Sequence, residues 1–380
     1  MSLRRPIRRN TTLCMQRSER TFRMNPYSNL PPHQFWRRSV ENVERHAFNP
    51  VVSPKFSLSE TDKVATAGSC FAQHISRKLG EIGFNYFVPE HGNELAEDER
   101  KARNYGVFSA RFGNIYTVRQ LIQLFDEAFG DGARPDLSWQ RRDGRFVDPY
   151  RPNIEPEGFL SLDDVSEARH VHLRYVREMF TQADVFIFTL GLTESWCHKD
   201  SGAVFPLAPG VVAGEFSEEF YGFINFNVSE VTNDLHLFLD RLKEVNPSIK
   251  VLLTVSPVPL IATYEPKHVL VSTTYSKSVL RVAAEDASRQ FSWVDYFPSY
   301  EIITGSYNFG MYYCEDAREV NPLGVSHAMR TFVNSYISKD IDETGNKNMA
   351  SRIDGNGPSV FGKKTTDIIC DEEQINQVSV

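Results

Sequence analysis

Ser69 follows Gly68 at the end of an apolar run, Val64-Ala65-Thr66-Ala67, and precedes Cys70-Phe71-Ala72, which opens a segment with helical spacing. That order places the serine on a strand-to-helix turn. Its hydroxyl then projects from the carboxyl edge of a sheet, beside amide N–H groups left without partners because they begin a helix. Acyl transfer needs both features, an exposed nucleophile and donors for a developing oxyanion. A plain helix cap, with Gly68 supplying the tight turn, uses the same residues, so the turn alone leaves both readings open. Cys70 also stands at the helix start, but a residue following the turn packs inward, which ranks it below the serine as a nucleophile.

The elements that must hold this turn alternate along the chain. Strands are expected at 63–69, 84–88, 185–191, 250–256 and 291–296, and helices with apolar residues near 3.6 spacing at 71–82, 118–129, 162–182, 228–244 and 274–289. A last helix is expected from Pro322 to about 338, with proline at the first helical position. Such alternation implies a parallel sheet joined by crossovers, which binds ligands outside the carboxyl ends of its strands. Ser69, the run Gly191-Leu192-Thr193-Glu194 and the run Ser256-Pro257-Val258-Pro259 all fall there. A segment rich in Arg, Asp, Pro and Gly at 131–157 reads as an insertion, a cap or a substrate-facing lobe.

The pentapeptide Gly68-Ser69-Cys70-Phe71-Ala72 matches the signature that names the GSCFA-domain family. Further stretches resemble the same family: Asn104-Tyr105-Gly106, Phe112 to Thr117, Thr189 to Trp196, Thr254 to Pro259 and Tyr275 to Arg281, covering roughly 25–338 in order. The family is similar to SGNH (GDSL-like) hydrolases. The resemblance implies an α/β fold, a three-layer α/β/α arrangement with about five parallel strands in flavodoxin-like order. It implies a serine-dependent esterase or O-acyltransferase acting on an O-acyl ester, with a small-molecule or carbohydrate ester as substrate. A catalytically impaired SGNH-like module that binds a glycan or acyl group is the alternative.

Site roles carried by that resemblance depart from the SGNH pattern in two places. Gly106, with Asn104 beside it, corresponds to the block whose glycine amide faces the oxyanion, and Ser69 N–H is the second expected donor. Where SGNH enzymes have an asparagine, this chain has Thr193 and Glu194. A threonine hydroxyl still donates, whereas an ionised glutamate beside an oxyanion opposes it; Glu194 therefore reads equally as a loop anchor or as a functional group that binds a sugar hydroxyl or acts as an acid or base. Where those enzymes have Asp-x-x-His, this chain has Asp316-Ala317-Arg318-Glu319. His327, eleven residues beyond Asp316, is the expected base, oriented by Asp316, although a histidine on an amphipathic helix is also a common boundary residue. His198, close behind the Gly191 motif, is the second choice. His74 lies about 140° around the first helix from Ser69, and His170 and His172 read as surface or packing residues. Lys277 and Arg281, four apart on one helix face, contact an anionic ligand or form a surface ion pair. The aromatic stretch 293–300 is expected to combine core packing with a wall of the cleft.

Composition bounds the rest. The chain has 380 residues, 41% hydrophobic, and a formal net charge of −7, which argues against a general nucleic-acid binder. No apolar run approaches the ~20 residues of a membrane span. Seven arginines lie in residues 1–23, read as a basic extension ahead of a natural start at Met24, and the remainder carries about −13. Five scattered cysteines without a CxxC pair argue against a metal centre or disulfide framework and fit a reducing, cytoplasmic setting. No metal or cofactor is expected. The polar tail at 339–380 reads as flexible; its short apolar pieces, 360–361 and 368–369, either dock on a partner or, more commonly for such a terminus, fray.

Overall fold

The computed structural model describes residues 25–130, 132, 134, 135, 137–337, 368 and 370–377; the basic stretch 1–24 and most of the tail lie outside it. Two units are distinct, one ending at Val43 and one beginning at Glu44. Within the first, single turns of helix at Pro32–Gln34 and Arg37–Glu41 bury no side chain.

The second unit carries the fold. In chain order it comprises β1 (Val64–Gly68), α1 (Ala72–Glu81), α2 (Glu97–Ala102), α3 (Val118–Phe129), β2 (Trp139–Gln140), β3 (Phe146–Val147), α4 (Leu162–Gln182), β4 (Val185–Leu190), β5 (Glu194–His198), β6 (Val204–Phe205), β7 (Tyr221–Asn225), α5 (Val228–Val245), β8 (Lys250–Val255), α6 (Val269–Gln290), β9 (Val294–Tyr296), α7 (Ser299–Thr304) and α8 (Pro322–Tyr336). Reciprocal side-chain and backbone bonds cap α3 at Thr117, α4 at Ser161 and α5 at Asn227, which fixes where each begins.

The main sheet is parallel in the order β1-β4-β8-β9. The expected strand at 84–88 is reduced to one bridge, Tyr86 beside Val64. Pro89 follows at once and has no N–H to extend the pairing. With that edge segment counted, the spatial order is the flavodoxin-like one. Successive residues of the strands face opposite ways. Ala65, Phe186, Phe188, Val251 and Leu253 pack with α3, α4, α5 and α6. Val64, Val185, Ile187 and Leu252 pack with α1, α7 and α8 through Phe71, Ile302 and Phe332. The result is the three-layer α/β/α arrangement.

Two features differ from the sequence reading. Residues 194–198 form β5, the centre of a three-stranded antiparallel sheet β6-β5-β7, where no strand was expected. The insertion packs Trp139 and Tyr150 against Phe205 of that sheet. The helix expected at 274 begins at Val269, where the His268 side chain accepts the Leu270 amide at 3.1 Å. Among the described residues, no helix is long and apolar enough to cross a membrane.

Candidate active site

The turn at Ser69 is fixed by backbone geometry that only glycine tolerates at its start. Gly68 has φ +130°, and a Cβ there would lie 2.3 Å from the Thr189 carbonyl oxygen. That close approach lets Ser69 N–H donate to Thr189 O at 3.1 Å, while Gly68 O accepts from Ile115 N at 2.9 Å. Ala72 N donates back to Ser69 O at 2.8 Å and starts α1. The Cys70 and Phe71 amides between them have no backbone acceptor among the described residues. Ser69 is 3% exposed, and its hydroxyl has no hydrogen-bond partner among the described residues.

Ser69 lines a small cavity with Tyr116, Gly191, Ser256, Lys277 and Glu372, about 10 Å³ in volume, the room of a single water-sized sphere. Gly191 closes one wall: a Cβ there would come within 3.1 Å of Ser69 Cβ and 2.9 Å of the Tyr116 carbonyl. Lys277 is 2% exposed and donates from Nζ to the Gly191 carbonyl at 2.6 Å. Burial brings its ammonium down to about 8, against the opposing pull of Glu372. The surface ion pair expected for Lys277 is thus replaced by a buried amine at the serine, while Arg281 pairs with Glu285 and Glu301. The earlier start of α6 explains the difference, since Lys277 lies two turns inside the helix rather than at its mouth.

A second cavity of about 220 Å³ adjoins the first through Cys70 and is lined by His74, Arg318, Glu319 and Cys370. Burial and the Arg77 charge bring the His74 imidazole down to about 4. The segment carrying Cys370 forms a short 3-10 helix, Asp371–Gln377, with Asp371 and Glu372 buried. This part of the tail therefore packs on the site, contrary to the flexible tail expected there. Asn114 and Asn153 donate to the Asp371 carboxylate at 2.8 and 2.6 Å, and Arg318 donates to Glu372 at 3.1 Å. Burial pushes both carboxyls above their ordinary values, against the bonds from Asn153 and Asn114 at Asp371 and the Arg318 charge at Glu372.

The remaining expected site residues are spread more widely. His327 is buried, with Nδ1 2.6 Å from the Tyr312 hydroxyl and Nε2 2.7 Å from the Phe48 carbonyl. Burial lowers its pKa. Asp316 accepts the Arg318 and Glu319 amides at 3.0 Å each. Neither lines the Ser69 cavity, so the structure does not bring the three residues of the expected triad together. Ser69 N–H, expected as an oxyanion donor, is committed to Thr189 O. Gly106 is exposed, and Asn104 donates to Asn153 O at 3.3 Å at the edge of the tail segment. The Thr193 hydroxyl donates to Asn225 Oδ1 at 2.7 Å. Glu194 accepts from the Thr263 hydroxyl at 2.6 Å and the Tyr264 amide at 3.3 Å, the arrangement of a loop anchor, and burial raises its pKa. His198 lies within 3.3 Å of the Ser201 hydroxyl and packs edge-on against Tyr221. His172 is buried against Glu90 at 2.7 Å, and His170 bonds its own helix at Ser166 O.

Sequence reasoning missed Asn114, Glu372 and the burial of Lys277. Asn114 lies inside the quoted Phe112 to Thr117 motif, which gave a usable signal; Glu372 gave none, because nothing local ties it to Arg318. Among the described residues, no group of three or more His, Cys, Asp or Glu is placed to hold a metal ion.

The chain is similar in structure to a protein described as a GDSL-like lipase from Parabacteroides merdae, at 14% identity and a TM-score of 0.26, over 45% of this chain and 66% of that one. It is also similar to a Clostridium thermocellum family 3 carbohydrate esterase, at 12% identity and a TM-score of 0.25, over 72% of this chain and 94% of that one. No curated protein matches this chain. The GSCFA family profile matches residues 63–332, from the strand before Ser69 into α8. The chain belongs to the GSCFA family.

Proposed function

We propose that this protein transfers an acyl group from an O-acyl ester through Ser69, as an SGNH-like esterase or a carbohydrate O-acyltransferase. One observation carries the reading: the Ser69 hydroxyl is buried without a hydrogen-bond partner among the described residues, at the carboxyl edge of the sheet and beside the first amides of a helix. Leaving a buried hydroxyl unpaired costs about 1–3 kcal/mol, and such an atom at a ligand-binding edge is accounted for by chemistry. In this reading Ser69 Oγ bonds to the ester carbonyl carbon as the neutral Lys277 amine takes its proton. The proton then passes to the departing alcohol. Water or a sugar hydroxyl takes the acyl group from the serine. The Cys70 and Phe71 amides face the oxyanion in place of Ser69 N–H. Lys277 replaces His327 as base, because both His327 ring nitrogens are already committed.

Hydrolysis of p-nitrophenyl acetate and fluorophosphonate labelling test the proposal, in the full chain and in Ser69→Ala, Lys277→Met and His327→Ala. The expected result is labelling lost in Ser69→Ala, turnover lost in Ser69→Ala and Lys277→Met, and turnover kept in His327→Ala. A second reading, a binding module for a glycan or acyl group, is favoured by Glu319 standing where SGNH enzymes have their histidine. Neither labelling nor turnover in the full chain would move the conclusion to that module.

A further inference from the structure

Acyl transfer leaves one pair of nucleophilic groups at the site without a role. Cys70, next to Ser69, and Cys370, on the C-terminal segment, line the same 220 Å³ cavity. Both thiols are free and are hydrogen-bonded to each other. Arg318 Nη2 lies 3.9 Å from Cys370 Sγ and also holds Glu372 at 3.1 Å. Asn114 and Asn153 anchor the intervening Asp371. The segment is thus seated with its cysteine already against Cys70 and its glutamate in the Ser69 cavity.

We propose that Cys70 and Cys370 form a disulfide on exposure to a peroxide, bolting the C-terminal segment over the Ser69 cavity. The hydrogen bond with Cys70 and the Arg318 charge hold the Cys370 thiol below its ordinary value, against its burial, whereas that same bond and burial push Cys70 up. Cys370 is therefore the attacking sulfur. Its thiolate takes one oxygen of the peroxide, giving a sulfenic acid and, once protonated, a first water. Cys70 sulfur then attacks the sulfenic sulfur, the S–O bond breaks, and the hydroxide leaves with the Cys70 proton as a second water. Two thiols supply two electrons, and one hydrogen peroxide becomes two waters. The bond would fix Glu372 beside Lys277, so the oxidised protein is the closed form.

The readout is independent of any ester chemistry. The full chain is treated with hydrogen peroxide, its remaining thiols are alkylated under denaturing conditions, and it is digested with trypsin without reduction. The expected product is peptide 64–77 joined to peptide 365–380, two hydrogens lighter than their sum, separated again by dithiothreitol. Cys370→Ser should abolish this product. Peroxide treatment that leaves both cysteines alkylatable would overturn the proposal. So would linkage of Cys70 to Cys14, Cys197 or Cys314 instead, or oxidation of Cys370 to a sulfinate with Cys70 still a thiol.

Discussion

Replacing Lys277 with methionine tests the buried amine through stability, apart from any catalysis. Lys277 is 2% exposed, and burial lowers its ammonium from 10.5 to about 8 in the folded protein. The unfolded chain restores the ordinary value of about 10.4. Between about 8 and 10.5 the unfolded state binds more protons than the folded one, so stability rises with pH through that window. The contribution is complete above the unfolded value, is lost as the pH falls toward the folded one, and levels off below it. A shift of two and a half units is worth about 3 kcal/mol at about 1.36 kcal/mol per unit, and about 1.3 kcal/mol of it is recovered between pH 7 and about pH 9. Methionine also loses the 2.6 Å bond to the Gly191 carbonyl, but that loss is the same at both pH values and cancels. Urea unfolding of both proteins at the two pH values should therefore show the wild type gaining about 1.3 kcal/mol on the variant at the higher pH. A constant gap, or one moving the other way, refutes the reasoning.

Gly68→Ala should lower unfolding free energy by more than about 3 kcal/mol, because the new Cβ meets the Thr189 carbonyl at 2.3 Å and φ is +130°; thermal denaturation measures it. His327→Ala should cost about 2–4 kcal/mol from the lost ring and the stranded Tyr312 hydroxyl, with the rate of Ser69 labelling unchanged. Asp148 is held down to about 2 by Arg169 and Arg151, against its burial. Its stabilisation is present above the ordinary carboxylate value and lost as the pH falls through about 2. Asp148→Asn should then cost about 2–3 kcal/mol near neutrality and progressively less in acid, read by urea unfolding across the range.

The strand-to-helix turn at Ser69 was legible because everything that makes it is local: an apolar run of strand length, a glycine and a helical period. The same holds for the helices whose caps lie within three residues of their partners, such as Thr117 with Gln120 and Asn227 with Glu230. The edge strand at 84–88 was overestimated because a short apolar run reports burial and not pairing, and Pro89 cuts the ladder after one bridge.

The site divides along the same line. Sequence by itself determined that a serine stands on a turn at the carboxyl edge of a parallel sheet. Tertiary structure alone decided what surrounds it. Lys277 reaches Gly191 across 86 residues, Asn114 holds Asp371 across 257, and Arg318 holds Glu372 across 54. It also decided that His327 spends both nitrogens on Tyr312 and Phe48. Periodicity tells which face of a helix is buried, but the partner of a buried polar group is chosen by packing between distant segments, and no local spacing encodes that choice.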